Sequence, residues 1–166
     1  AVGGFGSPAE ADQRTARKNI GAEEMRAVNE IIIHCTATRA NWMEGRPVAD
    51  VVAELTRWHV EDNGWSDCGY HYVITRAGEV GTARPVERSG AHCRGRNKGS
   101  IGVTLCGGRG GQEDDWFKEN YTPAQEAALR GLIGDLKDKH PEIQQVSGHN
   151  EYAAKACPCF DVKDWL

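Results

Sequence analysis

The stretch Ile31-Ile32-Ile33-His34-Cys35-Thr36 sets the tightest limit on what this chain can fold into. Three consecutive β-branched side chains without polar alternation suit a strand buried on both faces, the kind found inside a parallel or mixed sheet. Such a strand needs partners on both edges and cover on both faces, so the rest of the chain must supply more strands and helices for each side. It also carries His34 at or near its end, where a polar ring can leave the core.

The remaining elements are readable downstream. Val48, Val51, Val52, Leu55 and Trp58 recur at the spacing of a helix with one buried face, which ends before Asn63-Gly64, an easy left-handed cap. Residues 70–75 and 79–83 flank Ala77-Gly78 and read as a hairpin, and residues 100–106 alternate Ile101, Val103 and Leu105 before a glycine-rich loop. Thr122-Pro123-Ala124-Gln125 is a capping box with proline at the first helical position, and Ala128, Leu129, Leu132, Ile133 and Leu136 carry that helix toward Lys139. A short extended segment at 144–147, a loop from His149 to Cys159 and a last helical turn at 162–166 follow. This order predicts an α/β domain over residues 30–166, a central mixed β-sheet flanked by helices. Residues 1–29 are rich in glycine and charge and have no apolar period, so they are expected to form an N-terminal arm, flexible or in part an expression remnant.

Composition narrows the functional classes. At 166 residues the chain fits one domain. Its 20 Lys+Arg against 24 Asp+Glu give a formal charge of -4, a field that does not attract polyanions, so nucleic acid is not an expected partner. No apolar stretch approaches the roughly 18 residues of a membrane span. Cysteines at 35, 68, 93, 106, 157 and 159 could pair as three disulfides, but no basic-then-apolar segment opens the chain. The expectation is synthesis without a signal peptide and reduced thiols available to a metal or to catalysis, although a leader already removed leaves the same start.

One constellation stands out. His149 and Cys157 share a loop that Pro158 and several small residues allow to curve, so both side chains can face one point. Imidazole nitrogen and thiolate are ligands zinc prefers, and a third donor from a rigid strand would complete a site whose fourth position stays open, as in catalytic zinc centres. His34 is that candidate. Two neutral imidazoles and one thiolate leave the ion with net positive charge, able to acidify water and polarise a carbonyl. By themselves these residues leave a second reading open: His34 as a polar cap on a buried strand and Cys157 as a small buried hydrophobe.

Five ordered motifs add to this. His34-Cys35-Thr36-Ala37-Thr38, the run from Gly64-Trp65 to Tyr70-His71-Tyr72, Ser100-Ile101-Gly102-Val103, Tyr121-Thr122-Pro123-Ala124-Gln125, and Lys155-Ala156-Cys157-Pro158 with Phe160-Asp161 resemble the type 2 N-acetylmuramoyl-L-alanine amidases. The likeness is to the T7 lysozyme-like branch, whose fold is shared with the peptidoglycan recognition proteins, and it runs from about Ile31 to the C-terminus. The resemblance implies one Zn2+ per chain held by His34, His149 and Cys157, with Tyr70 and Lys155 as the catalytic side chains. A lysine ammonium or tyrosine hydroxyl beside the metal suits an oxyanion developing on an amide carbonyl. It further implies a substrate made of the peptidoglycan stem peptide and muramic acid, a phage or prophage lysin acting on the cell wall after release, and a monomer. His92 and Arg94 fall on a loop that the family sets beside the substrate, and are expected to contact it. Cys159 and Asn150 depart from the pattern, the first by adding a thiol, the second by replacing a histidine.

Other functions compete with this one. A peptidoglycan-recognition module would bind without cutting and would not need an open metal position. A cysteine hydrolase would use Cys157 or Cys159 with His149 and would ignore chelators. A polymerase regulator would be recovered with a polymerase.

Overall fold

In the computed structural model, which describes residues 26–166, the isoleucine run forms β1 (Glu30–Cys35), and all six of its residues are buried. It lies between β4 (Ser100–Leu105) and β5 (Gln145–Gly148), parallel to both, with Ile31 opposite Ile101 and Val146, and Ile33 opposite Val103 and Gly148. β2 (Tyr72–Ile74) runs parallel on the far side of β4, and β3 (Val80–Thr82) closes the expected hairpin antiparallel to β2. The mixed sheet therefore has the order β3-β2-β4-β1-β5.

Alternation along β1 divides the molecule into two sides. Ile31, Ile33 and Cys35 join Ile101, Val103 and Leu105 in a core covered by α3 (Pro123–Lys139) through Leu129, Ile133 and Leu136, and by α4 (Val162–Trp165) through Val162. Phe117, in the short helix α2 (Phe117–Asn120), stacks with Trp165 and meets Phe160 edge-on at the end of this layer. On the opposite face α1 (Val48–Arg57) packs Val51 and Leu55 against Val73, Cys68 and Cys106. Its contacts are with β2 and β3, which leaves the same face over β1 and β5 to loops. The functional side chains gather there.

Local sequence explains the elements. Thr122 Oγ1 accepts from Gln125 N at 3.1 Å and Gln125 Oε1 accepts from Thr122 N at 3.0 Å, the reciprocal cap expected from the sequence and worth about 1 kcal/mol. The buried Gln125 amide also donates to Cys106 O at 2.9 Å, so the cap pins α3 to the end of β4. α1 continues as one wide turn over Trp58–Asp62 and stops at Gly64, whose φ of +69° meets the demand for a left-handed cap. β4 differs from its alternating sequence pattern, because all six residues are buried. Being central, it hides its second face too, and Gly102 and Thr104 fill that face with little volume.

Residues 26–29 correct the arm boundary expected at 29. Val28 is 1% exposed, Asn29 bonds to both Gly99 and Gln144, and the Arg26 guanidinium donates to the carbonyls of Val86, Lys98 and Ser100. These residues belong to the folded unit, and the rest of the expected arm lies outside the described residues. No helix among the described residues is long and apolar enough to cross a membrane.

Candidate metal centre

His34 is the last but one residue of β1, and its side chain shares the α1 face with Glu30 and Ile32. Because β5 runs parallel to β1 with Gly148 opposite Ile33, the residue that follows β5 comes up beside His34. That residue is His149, opening a tight turn (His149–Glu151), and the two rings lie 4.6 Å apart between centroids. The carboxyl ends of parallel strands are the usual location of ligand sites in open α/β sheets.

The third donor arrives on the loop that follows. Asn150 Nδ2 reaches Ala156 O at 3.3 Å and Phe160 O at 3.2 Å, and Glu151 accepts from Gly148 N at 2.6 Å. These bonds fold residues 148–160 back on themselves and return Cys157 to the edge of β1, where its Sγ accepts from Cys35 N at 3.1 Å. One ligand atom from each of His34, His149 and Cys157 then falls within 4.8 Å of the others. Asn150 is thus put to structural use, because its amide is the tie that closes the loop.

The donors have the chemistry that a zinc ion requires. Burial holds His34 well below the ordinary histidine range, with His92, His149 and Lys155 adding to the effect, and burial followed by the charge of Lys155 lowers His149. Both imidazoles are therefore neutral near pH 7, as ligands must be. His34 Nε2 lies 2.8 Å from His92 Nδ1, while His34 Nδ1 is buried without any hydrogen-bond partner. An orphaned ring nitrogen in a residue that clusters with a second imidazole and a thiol is costly in a metal-free core and fits a metal ligand. Hydrogen bonds from Cys157 and Cys159 hold the Cys35 thiol well below the usual range, while Cys35 and burial push Cys157 and Cys159 up. Without a cation the single negative charge therefore favours Cys35, and a metal at the cluster would draw it to Cys157. Cys159 Sγ also donates to Gly108 O at 3.3 Å, and its backbone occupies the left-handed region at φ +70°. All six cysteines stand as free thiols in this structure.

The other expected residues surround this point. The Tyr70 ring stands 5.2 Å from His34, and burial, followed by the nearby Cys157, Cys35 and Cys68, pushes its hydroxyl well above the usual tyrosine range, so it remains a protonated donor. Lys155 is exposed and lines a cleft of about 490 Å³ together with His149, Trp65, Tyr152, His92 and Arg94. Arg94 is exposed on this rim. His92 is not, because it is 8% exposed and both its ring nitrogens are engaged inside the protein, Nδ1 with His34 and Nε2 with Ser100 Oγ at 3.2 Å. His92 still lines the cleft, so the expected contact with a substrate is narrowed to van der Waals contact, with no ring nitrogen free to bond.

Sequence reasoning missed a buried carboxylate behind the site. Glu30, 2% exposed, accepts from Ser147 Oγ at 2.7 Å and from the Tyr152 hydroxyl, and pairs with Arg96 at 3.4 Å. Ser147 and Tyr152 flank His149 in the chain, so Glu30 braces the turn that carries it. The signal available was a glutamate opening an otherwise apolar strand.

Comparison with known proteins agrees with this geometry. A family model described as N-acetylmuramoyl-L-alanine amidase matches residues 24–160. The chain is 39% identical to the endolysin of Escherichia phage T7 over 86% of its own length and 88% of the relative's. It is 41% identical to the endolysin of Enterobacteria phage T3, over 84% and 87%. Its fold superimposes on a structure of tracheal cytotoxin bound to the ectodomain complex of peptidoglycan recognition proteins LCa and LCx, with a TM-score of 0.66 at 23% identity, covering 81% of this chain and 78% of that one.

Proposed function

The chain belongs to the N-acetylmuramoyl-L-alanine amidase family, and from that premise we propose that His34, His149 and Cys157 hold one zinc ion per chain for hydrolysis of the amide between N-acetylmuramic acid and the L-alanine of a peptidoglycan stem peptide. The observation that carries the metal reading is the orphaned, buried Nδ1 of His34 beside two further zinc-type donors. Bound there, zinc supplies Lewis acidity, which polarises a carbonyl and acidifies water.

The chain's own residues supply the rest. Tyr70, held protonated, offers its O–H to the amide oxygen as negative charge gathers there; a donor already in position costs no reorganisation during reaction. Lys155, on the cleft rim, brings a positive charge to the same oxygen and stands on the open side, where the departing alanine amine needs a proton. Arg94 meets the carboxylates of the stem peptide by charge-assisted hydrogen bonds. The similarity to phage endolysins supports a lysin that acts on the wall after release. The tracheal cytotoxin held by the recognition-protein neighbour supports a muropeptide in this cleft.

The test is mass spectrometry of purified sacculi digested by the protein, with chelator and with zinc restored. Stem peptides beginning with L-alanine, lost with chelator and regained with zinc, are the expected products. No release from several wall chemotypes by a zinc-loaded protein would instead favour a recognition module.

A further inference from the structure

A single backbone carbonyl decides the protonation pattern of three side chains behind the metal centre. Arg96 O lies 2.8 Å from Ser100 Oγ, and a carbonyl can only accept, so the one hydroxyl proton of Ser100 is committed to it. Ser100 Oγ must then accept from His92 Nε2, 3.2 Å away, which puts the His92 proton on Nε2 and leaves Nδ1 as a lone pair. That lone pair faces His34 Nε2 at 2.8 Å, so His34 carries its proton on Nε2 and keeps a bare Nδ1, in a residue that clusters with His149 and Cys157. The orphaned buried atom is the end of this chain.

The surroundings are built to hold His92 in this pose. A Cβ at Gly102 would stand 2.5 Å from the His92 ring, and one at Gly90 would stand 2.6 Å from it, so two glycines leave the space in which the ring lies. The His92 backbone N–H is fixed by Asn97 Oδ1 at 2.9 Å. His71, the next ring in this layer, uses both its nitrogens elsewhere, donating to Arg88 O and accepting from Gly102 N, and does not compete for His92.

We infer that His92 is a positioning residue whose Nδ1, oriented by Ser100 and Arg96 O, fixes the tautomer and ring angle of His34 so that Nδ1 of His34 is the metal donor. This rests on the reading of His34 as a zinc ligand. Partners of this kind behind a ligand govern metal affinity, and their loss costs about 10- to 100-fold.

Two readouts test it. In metal-free, 15N-labelled protein, long-range proton–nitrogen correlation spectra report which nitrogen of His34 carries hydrogen, and competition with a chromogenic chelator gives zinc affinity. The expected results are an Nε2–H tautomer for His34 in the wild type and zinc affinity about 10- to 100-fold lower in His92→Phe, which has no acceptor. His92→Asn sets an amide oxygen where Nδ1 stands and should recover most of that affinity. Ser100→Ala frees the His92 tautomer, so His34 should become a mixture of forms; this variant decides the matter if His92→Phe does not fold. An Nδ1–H tautomer in the wild type would overturn the inference. So would undiminished zinc affinity in His92→Phe, or an Asn variant no better than the Phe variant, since packing alone would then explain His92. If the wild type takes up no zinc, the metal reading fails separately, and the His34 tautomer still supports or overturns the relay.

Discussion

Cys35 N–H donates to the Sγ of Cys157 across 3.1 Å, so the strand that carries one metal donor also orients another. A hydrogen bond to a sulfur that is to bear negative charge favours the charged form, and it comes from rigid backbone in the middle of the sheet. Cys157→Ser should therefore lose both zinc and activity, while Cys159→Ser, whose thiol turns toward Gly108 O, should keep zinc near one per chain. Metal analysis of the two purified variants separates them.

Tyr70, beside His34, and Lys155, on the cleft rim, are the side chains proposed to act on the substrate. Tyr70→Phe removes one hydroxyl from a half-buried ring and should lower kcat by about 100-fold, the usual cost of a lost oxyanion donor, with zinc content unchanged. Lys155→Ala should lower turnover as well, without shifting the melting temperature, because the side chain is exposed. Turnover measured beside metal content and thermal melting checks both variants.

His71 gives the fold a pH dependence of its own. Burial is the main cause that lowers it from 6.5 to about 4, Arg26 and Arg84 adding to the effect and the Arg88 carbonyl and Glu87 opposing it. An unfolded chain takes up a proton at this ring below about 6.5 and the folded one does not until about 4. Its contribution, about 3 kcal/mol, is complete above the higher value and is lost as pH falls through that window. Urea midpoints of chelator-treated protein at pH 6.5 and 4.5 should differ less in His71→Gln than in the wild type.

Gly102 should tolerate no side chain. Gly102→Ala drives a methyl into the His92 ring, at a cost of about 1–3 kcal/mol. Because the displaced ring is the one bonded to His34, zinc affinity should fall together with the melting temperature, a coupling that a chelator titration on the variant would reveal.

Much of this architecture could be read from residues alone, and the exceptions have physical reasons. The β-branched run at Ile31 and the cap at Thr122 report local preferences, and both elements form as expected. The convergence of His34 on His149 is invisible to spacing, since it depends on β5 docking parallel to β1 with Gly148 opposite Ile33. His92 was placed beside the substrate because of the loop it shares with Arg94, and nothing in that loop shows that its ring turns inward. The clue to its true direction lay in another segment, at Gly102 inside a strand, where a missing side chain signals the close approach of something else. Glu30 was passed over because it sits at the end of an apolar run, where a charge is ordinarily solvated.

The parallel flanking of β1 also sets when in its own synthesis this protein can become active. Ile31 is made early but acquires its partners only with Ile101 and Val146, and contacts so distant in the chain make for slow, late assembly. The donors come from the first strand and from the loop after the last one. With Cys157 as a metal donor, a nascent chain is expected to stay inert until that residue has emerged.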